Sequence, residues 1–136
     1  MYTKNYPTQK TYEKYDDGHY MLYLGEQAVE FTPEHGGGMN EQPAEPEPIK
    51  GFAYTGDQPD GGTLVQAKEV GYGEFVSGLI RKQYPEDAVE AVQNNLLVAL
   101  KDKSGAKAAQ YKQEFDDYNA YRAACKESAK KVLGLQ

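Results

Sequence analysis

The chain has 136 residues, with 15 Lys/Arg against 21 Asp/Glu, a net charge of −6 and a pI near 4.9. That balance argues against a nucleic-acid partner, because such affinity rests on Lys and Arg neutralising phosphates, and Arg81-Lys82 is too small a basic patch to reverse it. The length can enclose a real core without disulfides or metals, and the single Cys125 leaves no internal disulfide to form.

Taken in chain order, residues 1–18 carry Tyr2, Tyr6, Tyr12 and Tyr15 among polar neighbours. Their spacing fits neither a helical nor a strand period, so an extended arm is expected. Asp16-Asp17-Gly18 is a turn signal. His19 to Phe31 reads as a β-hairpin: Tyr20 to Leu24, then Gly25-Glu26 as a tight turn, then Ala28 to Phe31. Residues 33–48 are a loop. Gly36-Gly37-Gly38 is followed by Pro43, Pro46 and Pro48 interleaved with Glu41, Glu45 and Glu47, a composition that cannot build a core. Residues from about Glu34 to Glu47 are expected to stay mobile. A second hairpin is expected from Lys50 to Lys68, with arms Phe52–Thr55 and Thr63–Ala67 and a turn centred on Asp60-Gly61.

Beyond Lys68 the pattern becomes helical. Tyr72, Phe75, Val76, Leu79 and Ile80 recur at the spacing of one buried stripe. Pro85 suits the first turn of a second helix, with Glu86 and Asp87 near its positive end. Val89, Val92, Leu96 and Leu100 continue the apolar face, and residues 101–105 break it. A third helix is expected from about Ala106 to Leu133, with Gly134 as its C-terminal cap. On it, Tyr111, Phe115, Tyr118, Cys125, Ala129 and Val132 follow a four-three repeat interrupted at Arg122. Packing on the first two helices is the simpler reading of that seam. Small and polar residues within it disfavour a self-sufficient coiled coil.

These elements define an α+β chain: an antiparallel sheet of about four strands in two hairpins, followed by about three helices. Residues 1–68 form a tyrosine-rich acidic half, with 5 Lys/Arg against 11 Asp/Glu. Residues 69–136 form a helical half, with 10 of each, and the two together read as one domain.

No motif carries a recognisable chemistry. Glu34-His35-Gly36-Gly37-Gly38 contains the HGGG string of some esterase oxyanion loops, but a G-x-S-x-G elbow is missing. Gly71-Tyr72-Gly73 lacks the third glycine of a dinucleotide fingerprint. His19, His35 and Cys125 have no metal-type spacing, and Asp57 and Asp60 lack the ligand order of a calcium loop. No catalytic residue, metal or cofactor is therefore expected. Cys125, beside Ala123, Ala124 and Ala129, reads as a small apolar residue at a helix contact.

The polar opening Met1–Pro7 has no apolar core of a signal peptide, and the longest apolar run, Leu96 to Leu100, is far short of a membrane span. A cytoplasmic site of synthesis and no membrane partner are expected. Six of the twelve tyrosines, Tyr2, Tyr6, Tyr12, Tyr15, Tyr20 and Tyr23, crowd the first 23 residues. Tyrosine suits interfaces because its rigid ring adds apolar area while its hydroxyl stays hydrogen-bonded. These six are the candidate protein-contact residues, for a second copy or another protein. The surrounding acidity favours a basic partner surface.

The segment Phe75-Val76-Ser77-Gly78-Leu79-Ile80-Arg81-Lys82-Gln83-Tyr84, an acidic helix start, and Glu114-Phe115-Asp116-Asp117-Tyr118-Asn119-Ala120-Tyr121 with Cys125-Lys126 resemble small uncharacterised proteins encoded in prophages of gut anaerobes. The likeness covers about residues 50–133. Such proteins often lie among tail or structural genes. The resemblance implies a phage tail accessory or assembly component, incorporated into a particle or aiding its construction, and transfers no site residues. The residues alone support a non-enzymatic interaction protein. The alternative is a small ligand-binding domain or enzyme with a pocket between sheet and helices.

Overall fold

The computed structural model describes residues 1–33 and 47–135. The expected mobility of residues 34–47 and the His35 loop fall, apart from Glu47, outside the described residues. The architecture is α+β, with six strands preceding three helices: β1 (Tyr2–Tyr6), β2 (Tyr12–Asp16), β3 (His19–Leu22), β4 (Gln27–Phe31), β5 (Ile49–Gly56), β6 (Thr63–Gln66), α1 (Tyr72–Gln83), α2 (Glu86–Lys101) and α3 (Ala108–Leu133). The strands form two three-stranded sheets, ordered β1-β5-β4 and β2-β3-β6. The chain divides into two compact units. One holds Met1–Tyr15 with Tyr20–Leu64, the other Asp16–His19 with Val65–Gln136.

In the first unit, β5 is the central strand, antiparallel to both neighbours. Tyr6 lies opposite Phe52 and Lys4 opposite Tyr54 on one side, and Ala28 lies opposite Phe52 on the other. Because alternate residues of a strand share a face, this register puts Tyr6, Phe52 and Tyr54 on the same side of the sheet. Met21, Tyr23 and Tyr54 are the buried centre of this core, and Tyr6, Phe52 and Leu64 pack around them.

Three local expectations are corrected. The extended arm of residues 1–18 is two strands, β1 and β2, each paired within a sheet. Neither expected hairpin forms. β3 and β4 lie in different sheets, and so do β5 and β6. The cause is burial on both faces: Tyr20, Met21, Leu22 and Tyr23 are consecutive and all buried. Such a strand needs neighbours on both edges, and β3 has β2 and β6. β5 likewise takes β1 and β4. The local turns remain, but they pass the chain between sheets rather than folding it back on itself.

In the second unit the helical reading holds closely. Phe75, Val76, Leu79 and Ile80 are buried on α1, while Tyr72 at the stripe's start is exposed. Gly78 lets α1 approach β6 closely. A Cβ placed there would lie 2.6 Å from the carbonyl oxygen of Gln66 and 3.0 Å from the Val65 side chain. α3 packs against both α1 and α2. Its seam buries Tyr118, Cys125, Ala129 and Val132. Gly134 ends the helix in the left-handed conformation, φ 69°, and its N–H reaches the carbonyls of Lys130 and Lys131. Among the described residues, no helix is long and apolar enough to cross a membrane.

Leu79→Ala and Ile80→Ala are each expected to destabilise the protein by about 2–5 kcal/mol, the range for truncating buried aliphatics. Chemical denaturation measures this. Losses below about 1 kcal/mol for both would mean that the α1 stripe is not core.

Candidate interaction surface

The six candidate tyrosines divide between interior and surface. Tyr20 and Tyr23 are buried, and Tyr6 and Tyr12 are half-buried. Tyr2 and Tyr15 remain 52% and 61% exposed. The buried and half-buried rings meet each other. Tyr12 and Tyr20 stack at a tilt with centroids 6.4 Å apart. Tyr23 stands edge-on to Tyr6 at 5.9 Å and to Tyr54 at 5.7 Å.

This three-ring cluster is held by charge and hydrogen bonds. The Lys10 ammonium lies 4.6 Å from the Tyr6 centroid and 4.4 Å from that of Tyr23. A cation over ring faces is attracted by their quadrupoles, so Lys10 closes the cluster from its own chain. The Lys10 ammonium also pairs with Glu13 at 3.0 Å. The Tyr23 hydroxyl donates to Asp60 Oδ2 at 2.9 Å, with Glu13 Oε2 at 3.3 Å. The Tyr6 hydroxyl donates to the Asp60 carbonyl. The Tyr54 hydroxyl donates to Glu26 Oε1 at 2.7 Å and accepts the Lys10 backbone N–H at 2.8 Å.

These surroundings favour the neutral phenols. Burial first, then the hydrogen bond to Glu26, pushes the Tyr54 phenol up to about 12. Burial, then Asp60 and Glu13, raises Tyr23 and Tyr6 as well. The cluster is thus built to be filled and closed, an anchor for the sheet rather than an open site.

Other polar groups are similarly engaged. His19 Nδ1 lies 2.8 Å from Asp16 Oδ1, and the Gly18 N–H donates to the same oxygen. Together with that hydrogen-bonded His19, the Gly18 bond lowers the Asp16 carboxyl, the backbone bond contributing most. Cys125 is buried in the α3 seam, and burial pushes its thiol up although Tyr121 partly opposes the shift. A thiol held protonated in this way is a poor nucleophile. Among the described residues, no group of three or more His, Cys, Asp or Glu is placed to hold a metal ion.

The surface that sequence reasoning missed is on α2. Leu97, Val98 and Leu100 are 62%, 57% and 51% exposed, and only Ala99 on this helix is fully buried. Leu100 was expected on the buried stripe and instead faces outward. Beside this end of α2 runs an apolar groove of about 370 Å³, lined by Val98, Ala99, Gly105, Ala108 and Tyr111 among others. The signal was present in the chain. Five consecutive apolar residues, Leu96 to Leu100, span more than a full turn at about 3.6 residues per turn, so one buried face cannot take them all. No family model, curated protein or solved structure significantly matches this chain.

Two outcomes follow from the tyrosine cluster. Lys10→Met is expected to lower stability by about 0.5–2 kcal/mol, read by urea denaturation at neutral pH, because the cation–ring contact is lost while much of the aliphatic stem is kept. Stability should also fall in alkali. The folded phenol of Tyr54 titrates at about 12 against an ordinary 10.0. Its contribution is fully present below 10.0 and is lost as pH rises from there through 12. Denaturant midpoints measured across that window should decline, and more shallowly in Tyr54→Phe. A flat profile would show that the phenols are not held neutral by the fold.

Proposed function

We propose that this chain is a non-enzymatic protein-interaction or assembly component. The observation that carries the reading is the apolar end of α2, where Leu97, Val98 and Leu100 face outward within four residues. A chain of modest hydrophobic content, 39% of residues, leaves three aliphatics spread around the outer side of one helical turn in water only at a loss of burial energy, about 25 cal/mol for each Å² of apolar surface left wet. Aliphatics gathered at one exposed helix end are a feature of contact sites.

A second contact is proposed on the first unit through Tyr2 and Tyr15, the exposed members of the tyrosine set. The acidity of that half of the chain favours a basic protein surface there. Membership of a phage tail, as an accessory or structural part carried in the particle or aiding its assembly, is the finer proposal. It is supported by the resemblance of residues 50–133 to prophage-encoded proteins.

The test is capture from a lysate of the producing cell, with bound proteins identified by mass spectrometry. Four baits are compared: wild type, Leu97→Asp, Val98→Asp and Tyr2→Ser/Tyr15→Ser. All of these positions are exposed, so the variants should fold, which circular dichroism checks. Deleting residues 1–15 is unsuitable, because it removes β1 and the Tyr6–Lys10 contacts. Specific bound proteins that are lost with the α2 variants, the tyrosine variant or both support the reading. A wild-type bait that retains no protein, its own copies included, overturns it.

A further inference from the structure

We propose that the outward stripe of α2 seats a second copy of this chain, laid antiparallel about a two-fold axis. The inference rests on reading the α2 end as a contact face and names its occupant. Glu90, Asn94, Leu97 and Lys101 follow each other at four-three-four spacing, so they lie along one line of the helix, and all four are exposed. The line is self-complementary. The helix is acidic in its first turn, with Glu86 and Asp87, and basic in its last, with Lys101. Two such helices run antiparallel can set Glu90, one turn past that acidic start, against the basic end of the other.

The register follows from the numbering. Placing Lys101 across from Glu90 of the second copy also places Leu97 across from Asn94 of that copy. The two Leu97 side chains then meet on either side of the axis, with Val98 flanking them. A two-fold contact is isologous, so each pairing occurs twice. Glu90 and Lys101 form no ion pair with a described residue of their own chain, so both are free to pair across the axis.

Charge also permits a second copy at this half of the chain. Residues 69–136 hold 10 Lys/Arg and 10 Asp/Glu. Copies meeting through this half carry no net repulsion there, whereas residues 1–68, with 5 against 11, would repel their like. The helix is about 24 Å long at about 1.5 Å per residue. One helix pair lies at the small end of specific interfaces, so the dimer should be weak and concentration-dependent.

Sedimentation equilibrium of the full chain, from micromolar to near-millimolar concentration, tests this. The expected result is a monomer–dimer equilibrium that Leu97→Asp weakens by about tenfold or more. Lys101→Glu should weaken it by about two- to five-fold, and so should Glu90→Lys. The double variant Glu90→Lys/Lys101→Glu, which restores opposite charges across the axis, should recover most of the loss. A protein monomeric throughout, or a dimer indifferent to Leu97→Asp, overturns the proposal. Failure of the double variant to recover overturns the antiparallel pairing. A monomer whose Leu97-dependent capture of another protein persists would sink the dimer but leave the interaction reading standing. A monomer that captures nothing would sink both.

Discussion

The Tyr54 phenol is the tie on which the first unit depends. Its ring sits in the centre of that core with no exposed surface. Its hydroxyl accepts from the Lys10 backbone, in the segment joining β1 to β2, and donates to Glu26, just before β4. One side chain of the central strand β5 therefore holds two connections in place. Tyr6 and Tyr23 extend the tie to Asp60, in the connection between β5 and β6. An apolar ring would fill the same space, but it would leave the Lys10 N–H without its acceptor, and an unsatisfied buried group costs about 1–3 kcal/mol. The abundance of Tyr over Phe, 12 against 4, has a structural reason here. The rings supply core volume, and their hydroxyls replace longer elements in fastening loops.

The same dual nature explains why this half was hard to read. A hydrophobic pattern identifies which side of a strand is buried, but tyrosine satisfies either side. Strand existence was legible in Phe52–Thr55 and Thr63–Ala67, which contain most of β5's core-forming part and all of β6, whereas strand pairing was not. Pairing here is non-local: β5 joins β1, about fifty residues earlier, and the chain crosses between sheets at residues 7–11, near Gly25 and at residues 57–62. A turn signal such as Gly25-Glu26 announces a change of direction, not a partner. The helices were read well because their contacts repeat every third or fourth residue, so Phe75, Val76, Leu79 and Ile80 declare their own face. α2 was the exception, since an unbroken apolar run has no preferred face.

The helical unit solves its packing with small residues and aromatic edges. Cys125 and Ala129 keep the α3 seam narrow, while Tyr84 fits edge-on to Tyr118 at 5.1 Å and lies tilted against Tyr121 at 5.5 Å. The Tyr121 hydroxyl donates to the Leu79 carbonyl at 2.9 Å, tying α3 to α1 near the end of the α1 stripe. Burial and the neighbouring Cys125 push that phenol up to about 12. Cys125 is thus part of a packing arrangement, as its alanine neighbours indicated, and the thiol is shielded rather than poised for reaction.

The two halves offer different kinds of surface, and this difference bears on what the chain could assemble. The first half is acidic and shows rigid phenols, Tyr2 and Tyr15, on paired strands. A surface of that charge would discriminate by charge and repel its own kind. The second half is electrically balanced and shows aliphatics on a helix whose charges run from acid to base. Such a surface tolerates its own kind and discriminates by fit. Screening limits charge effects to within about 8 Å at physiological salt, so each surface acts on what touches it rather than on the molecule as a whole. If the proposed contacts both form, one in each half, the chain has the minimum required to build an assembly rather than a single complex. The physical grounds for proposing that role are the three exposed aliphatics of α2 and the charge asymmetry between the halves.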